Sequence, residues 1–141
     1  MVSGLNVLAG VLILILGMGF HWAGQLFSVL RWEHAQRLGL QEKSLRPEYK
    51  VYERAIASAD AALGWVYGVA GVGLILNLGW AYKLAWVPGV VFVYHALGFW
   101  VWTGNQRRAG DFYTSNAFRV AWTSANLLIG GLAIWLGWHG Y

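Results

Sequence analysis

Long apolar runs alternate along the chain with shorter polar links. A run of about twenty apolar residues is the length at which an α-helix crosses the hydrocarbon core of a bilayer. Four such runs predict four transmembrane helices, at residues 5–30, 55–78, 84–103 and 117–138. Since only short links join them, the pattern predicts an all-α fold, with residues 1–141 forming a single integral membrane domain. Its expected architecture is an antiparallel four-helix transmembrane bundle.

The second predicted helix carries a stripe of small residues at spacings of three and four. Small residues at this spacing let the backbones of two membrane helices approach closely. The stripe therefore predicts a tight helix–helix contact. Its members are Ala57, Ala61, Gly64, Gly68 and Gly71.

Basic residues are concentrated in two of the links and predict the orientation of the helices. Links rich in Lys and Arg stay on the cytoplasmic side, so both termini are predicted on the outer, periplasmic side of a bacterial inner membrane. The first link contains Arg31, Arg37, Lys43, Arg46, Lys50 and Arg54, and the second region contains Arg107, Arg108 and Arg119.

Composition supports the same class of protein. The chain is 58% hydrophobic and 11% charged, which is typical of an integral membrane protein and not of a soluble domain. Its net charge of +4 comes from bases beside the apolar runs, so we expect a lipid bilayer and no nucleic acid as partner. The absence of cysteine excludes disulfides, thiolate metal sites, iron–sulfur clusters and covalently attached c-type haem.

Two histidines interrupt the apolar runs at matching positions. His21 lies ten residues before Arg31, and His95 lies twelve residues before Arg107. In parallel helices these positions differ in depth by only about 3 Å. Two neutral imidazoles at one level are what axial ligation of haem b requires, so His21 and His95 are candidate iron ligands. The alternative is that each ring bonds a backbone carbonyl or a polar neighbour. Those neighbours are Gln25, Tyr67 and Tyr94.

Asp60 in the second helix and Arg119 in the fourth are charged residues inside apolar runs. The simplest interpretation is a structural ion pair between them. The alternative is a proton path or an anchor for an anionic ligand, because ionisable residues within membranes commonly serve function.

With these spans in place, four segments resemble the HemJ-type protoporphyrinogen IX oxidases, which are small four-helix bacterial membrane proteins that bind haem b. The segments are "HWAGQLF", "VYERAI", "YKLAWVPGVVFVYH" and "FRVAWTSANLLIGGLAI". The resemblance implies a haem-binding redox protein, with Tyr94 and His95 at the cofactor. Arg54, Lys83 and Arg119 would then meet the propionates or an anionic porphyrin.

The chain departs from this family at two places. The family's histidine in the first helix is replaced by the run Leu14, Ile15 and Leu16, and its N-E-x-P-T in the fourth helix is replaced by the run from Trp122 to Asn126. His21 as the second ligand is therefore a hypothesis of its own. The alternative function is a non-catalytic small subunit that packs through Trp- and Gly-rich helices, in a larger membrane complex or a homo-oligomer.

Overall fold

The computed structural model describes residues 3–42 and 45–140, so Lys43 of the first link and Tyr141 of the tail lie outside it. The chain is 84% helix, with no strand in the described residues. The helices are α1 (Ser3–Leu12), a π-helix (Ile13–Ala23), α2 (Gly24–Leu30), α3 (Trp32–Arg37), α4 (Pro47–Leu63), α5 (Trp65–Ile75), α6 (Gly79–Leu84), α7 (Trp86–Arg108) and α8 (Asn116–His139).

These helices align end to end into four rods. Rod 1 joins α1, the π-helix and α2, rod 2 joins α4 and α5, rod 3 joins α6 and α7, and rod 4 is α8. Rods 1, 3 and 4 are each long and apolar enough to cross a membrane, whereas α4 and α5 qualify only together and meet at a bend of 41°. Three or four helices of this kind are compatible with a multi-pass membrane protein.

The second rod begins eight residues before the predicted start at residue 55, at Pro47. Proline is favourable there because the N–H of the first helical residue has no hydrogen-bond partner within the helix, so no bond is lost when proline lacks it. Asp60 is therefore near the middle of rod 2, in the last turn of α4, and not close to its start as the sequence indicated.

Apolar side chains cover the outside of the described fold, and several polar ones are inside it. Leu128 is 74% exposed, whereas Asn126 on the same helix is fully buried. Leu128 is one of many large apolar side chains exposed on the described fold, and so much exposed apolar surface is unfavourable in water. Other buried polar residues are Asn6, His21, Ser28, Gln41, Thr103, Gln106 and Arg119. The arrangement is compatible with an apolar environment around the helices.

The small-residue stripe of rod 2 packs against rod 1, as predicted. A Cβ atom added at Gly71 would lie 2.7 Å from the Leu14 side chain, and one added at Gly68 would lie 3.2 Å from the sulfur of Met18. At Gly64 the indole of Trp22 occupies the same space. Rods 1 and 2 therefore form a closely packed pair.

Rods 3 and 4 form a second closely packed pair, and α7 with α8 has the most extensive contact of any two helices. Gly89 and Gly130 face each other in this contact, where a Cβ added at Gly130 would lie 2.8 Å from the Gly89 carbonyl oxygen. Phe92 is fully buried beside them.

This contact makes a testable prediction about adjacent glycines. Gly130→Ala would push the backbones of α7 and α8 apart and is expected to lower the free energy of unfolding by about 1–3 kcal/mol. Gly131→Ala, where a Cβ would meet nothing within 4 Å, is expected to leave stability unchanged or slightly higher. Thermal unfolding of both variants in the same detergent would test the difference. Equal melting temperatures would contradict the packing described.

Candidate functional site

The π-helix of rod 1 positions His21 towards the other rods. Its i→i+5 hydrogen bonding widens the turn, a feature common at functional positions in helices. Ile13, Gly17 and His21 recur at every fourth position and are all buried, so they share the inward face. The absence of a side chain at Gly17 leaves room for the ring of Tyr67, which contacts it directly.

His21 is bonded to rod 4 through Asn126. The His21 Nε2 atom lies 2.8 Å from Asn126 Oδ1, and the Asn126 amide nitrogen donates to the Trp122 carbonyl at 2.9 Å. The second bond fixes the amide orientation, so Oδ1 is the atom facing the imidazole. His21 therefore carries its hydrogen on Nε2 and donates it to Asn126.

His95 is bonded to rod 2 through Asp60. Its Nε2 atom lies 3.2 Å from Asp60 Oδ1, and the two side chains are only 12% and 15% exposed. A carboxylate accepts hydrogen bonds, so His95 also carries a hydrogen on Nε2 in this pair. The Asp–His contact links rods 2 and 3 in the interior.

The two imidazoles are in direct contact. Their ring centroids are 4.5 Å apart with the planes tilted by 35°. Trp122 at 5.0 Å and Phe92 at 5.6 Å enclose the His21 ring from other sides. Asp60, His95, His21 and Asn126 therefore form one continuous polar chain through all four rods, which we call the Asp–His–His–Asn chain.

Several polar atoms in the interior have no hydrogen-bond partner in the described protein. Asp60 Oδ2 is one of them, so the carboxyl uses only one oxygen in its contact with His95. Others are Tyr67 Oη, Thr123 Oγ1 and Gln25 Oε1. Unsatisfied buried polar atoms are rare in native proteins and often mark places where function requires an available donor or acceptor.

Asp60 and Arg119, the predicted ion pair, are not brought together. Asp60 contacts His95, whereas Arg119 donates to Thr103 Oγ1 at 2.7 Å and to the Trp100 carbonyl at 3.1 Å. The guanidinium also lies 4.3 Å from the Trp100 ring centroid. Arg119 therefore joins rods 3 and 4, and His95 replaces it as the partner of the carboxylate.

The other residues expected around a porphyrin are dispersed. Tyr94 is 59% exposed, although its ring edge touches His95, and Arg54 lies over the ring of Trp32. Lys83 belongs to α6, about 25 Å along rod 3 from the Trp100 carbonyl that binds Arg119. These cations do not surround one ligand.

The predicted haem b does not fit between the two histidines in this arrangement. Rings in contact at 4.5 Å leave no space for a macrocycle, and both Nε2 atoms already donate to Asn126 or Asp60. Ligation would require the rings to separate and to bind iron through other lone pairs. Haem therefore remains a prediction from the sequence and enters no step below.

Asn126 is the member of the chain that the sequence argument missed. It had drawn attention only as a departure from the family's helix-four motif. A signal was present, because Asn126 is a lone amide in an apolar run, and such a group needs a partner inside a membrane.

Comparison of the chain with protein-family models, curated proteins and solved structures finds no significant match.

Proposed function

We propose that this protein is a multi-pass membrane protein that transfers protons through the Asp–His–His–Asn chain. The observation that carries the proposal is the contact of a buried carboxyl with a buried imidazole, Asp60 Oδ1 to His95 Nε2 at 3.2 Å, which continues into the ring of His21. Chains of Asp, Glu and His inside membranes are typical proton relays.

The proposed setting is an antiparallel four-rod bundle in a bacterial inner membrane. The basic links would lie on the cytoplasmic side and both termini outside, as the positive-inside rule predicts. Asp60, His95 and Asn126 each lie near the middle of their rods. In this setting the four side chains lie at about one depth near the middle of the membrane, so they would form the central step of a proton path and not its whole length. An ionisable group at that depth is costly unless it serves a purpose.

The geometry favours a site that holds one exchangeable proton. Two imidazolium rings in contact would repel each other, so the histidine pair carries at most one positive charge, balanced by the Asp60 carboxylate. The hydrogen bond between Asp60 Oδ1 and His95 Nε2 lets that proton reside on either atom without a large movement. The Nε2 hydrogen of His21 is donated to Asn126, so Nδ1 is the ring atom of His21 that is left as an acceptor.

Proton flux into liposomes tests the proposal. We expect the reconstituted protein to carry protons inward under a valinomycin-imposed potential, read by trapped pyranine, faster than empty liposomes. Asp60→Asn removes the carboxyl while keeping its size, and should reduce the protein-dependent rate by roughly tenfold or more.

Asp111→Asn is the matched control, because it makes the same chemical change in a different environment. Asp111 pairs with Arg46 at 3.1 Å in the links, away from the histidines. The Asp111→Asn variant should conduct protons at the same rate as the unmodified protein. A rate equal to that of empty liposomes, or one that Asp60→Asn leaves unchanged, would refute the proposal.

The porphyrinogen-oxidising and subunit functions remain predictions from the sequence. No contact of the described residues favours either over proton transfer, and the dispersed cations described above give an anionic porphyrin no common site.

A further inference from the structure

A cavity of about 880 Å³ opens where the four rods meet the links, separate from the Asp–His–His–Asn chain. Its volume is within the range of pockets that bind small molecules, roughly 300–1,000 Å³. Neither histidine lines it. Trp122 belongs to both places, because it lines the cavity and its ring lies 5.0 Å from that of His21.

One wall of the cavity is aromatic and already packed. Trp122 stacks on Phe118 with centroids 5.8 Å apart, and it meets the edges of Phe20 and Phe99 at 6.4 Å. All four rings line the cavity, and Phe20 and Phe118 are more than half exposed. Aromatic faces are electron-rich and attract cations as well as apolar groups.

The polar part of the lining carries negative charge. Glu42 and Glu53 line the cavity, and no Lys or Arg is among the described residues that do so. This is unexpected in a chain with a net charge of +4. Glu53 is held in place because its Oε1 accepts from the Trp102 indole at 2.9 Å. Gln25 adds a buried oxygen that has no partner.

Glu42, the second carboxyl of the lining, is anchored in the link through its main chain. Its main-chain carbonyl accepts from Gln36 Nε2 at 2.8 Å. Burial raises the pKa of its carboxyl above the usual value, and hydrogen bonds from its own backbone N–H and from Thr114 offset this only in part. A cation bound beside this carboxyl would favour its ionised form.

From the cavity, its aromatic wall and its two glutamates, we infer that this site binds an amphiphilic organic cation, such as an aromatic or alkyl-substituted onium ion. The ring wall takes the apolar part, and the carboxylates and the Gln25 oxygen take the positive charge. The inference does not depend on proton transfer through the chain, and it is opposite in charge to the porphyrin that the sequence predicted.

Two probes of the same shape and opposite charge test it. The full chain in nanodiscs of zwitterionic lipid would be dialysed against tetraphenylphosphonium or tetraphenylborate, with binding to empty nanodiscs subtracted. We expect saturable binding of about one tetraphenylphosphonium per chain and no saturable binding of tetraphenylborate. Glu53→Gln, which keeps a carbonyl acceptor for Trp102, should weaken binding by roughly tenfold or more.

Glu42→Gln provides a second variant outside the rods, and Glu33→Gln is the control because Glu33 is exposed and does not line the cavity. Weaker binding in Glu42→Gln and unchanged binding in Glu33→Gln would support the site. Saturable binding of the anion, or equal affinity in all three variants, would overturn it.

Discussion

Replacing His95 with leucine is expected to destabilise the protein by about 3–5 kcal/mol, because it leaves the Asp60 carboxylate buried without its partner. The double variant Asp60→Leu/His95→Leu should be more stable than this single variant, and within about 1 kcal/mol of the unmodified protein, since well-packed apolar residues often replace a buried ionic pair at little cost. Reversible unfolding in mixed micelles would give the free energies of the unmodified protein, of Asp60→Leu and His95→Leu, and of the double variant.

Tyr94→Leu is the control for this cycle. It makes an aromatic-to-leucine change at the adjacent position, where the side chain is 59% exposed, and should change stability by about 0.5 kcal/mol or less. If the double variant loses as much as the two single variants added together, Asp60 and His95 do not interact, and the proton chain has no basis.

Arg119→Lys is expected to lower stability by about 2–4 kcal/mol although it keeps the charge. Lysine cannot reproduce the planar fork that reaches Thr103 Oγ1 and the Trp100 carbonyl together, and it loses the close stack on the Trp100 ring. Two hydrogen bonds between rods 3 and 4 are then lost or weakened. The same unfolding assay would measure the loss.

Arg108→Lys is the matched comparison, since Arg108 is exposed at the end of α7. It should behave as the unmodified protein does. An unchanged stability of Arg119→Lys would show that Arg119 acts through its charge alone, and a loss of the same size at both positions would show that the effect does not depend on the contacts of Arg119.

The helical fold could be read from the sequence because apolar periodicity and span length determine it locally. Each predicted span coincides largely with one of the rods; α8 extends one residue beyond its predicted span at each end, whereas rod 2 ends at Ile75, three residues before the predicted end. The bend at Gly64 was not predicted. The sequence presents Gly64 as one more member of the packing stripe. The Trp22 indole that packs against Gly64 shows how closely rods 1 and 2 approach at that position.

The candidate site was predictable in part. Counting from the arginines placed His21 and His95 at one level, and their rings are in contact. The partner of Asp60 could not be derived in this way. Opposite charge alone suggests a pair for any Asp and Arg in neighbouring helices. The early start of α4 at Pro47, however, moves Asp60 towards the level of His95. Which polar groups come into contact depends on how each rod is rotated about its own axis. The spacing of residues along the sequence does not determine that rotation.

The division of the four rods into two closely packed pairs has a mechanical consequence. Asp60 to His95, His21 to His95 and His21 to Asn126 all connect a residue of rods 1 and 2 with a residue of rods 3 and 4. The glycine contacts lie within each pair, between Gly71 and rod 1 and between Gly130 and rod 3. A small sliding of one pair against the other would therefore separate all three polar contacts while both glycine seams stayed closed. If the proposed proton route exists, such a shear would switch it on and off as a unit.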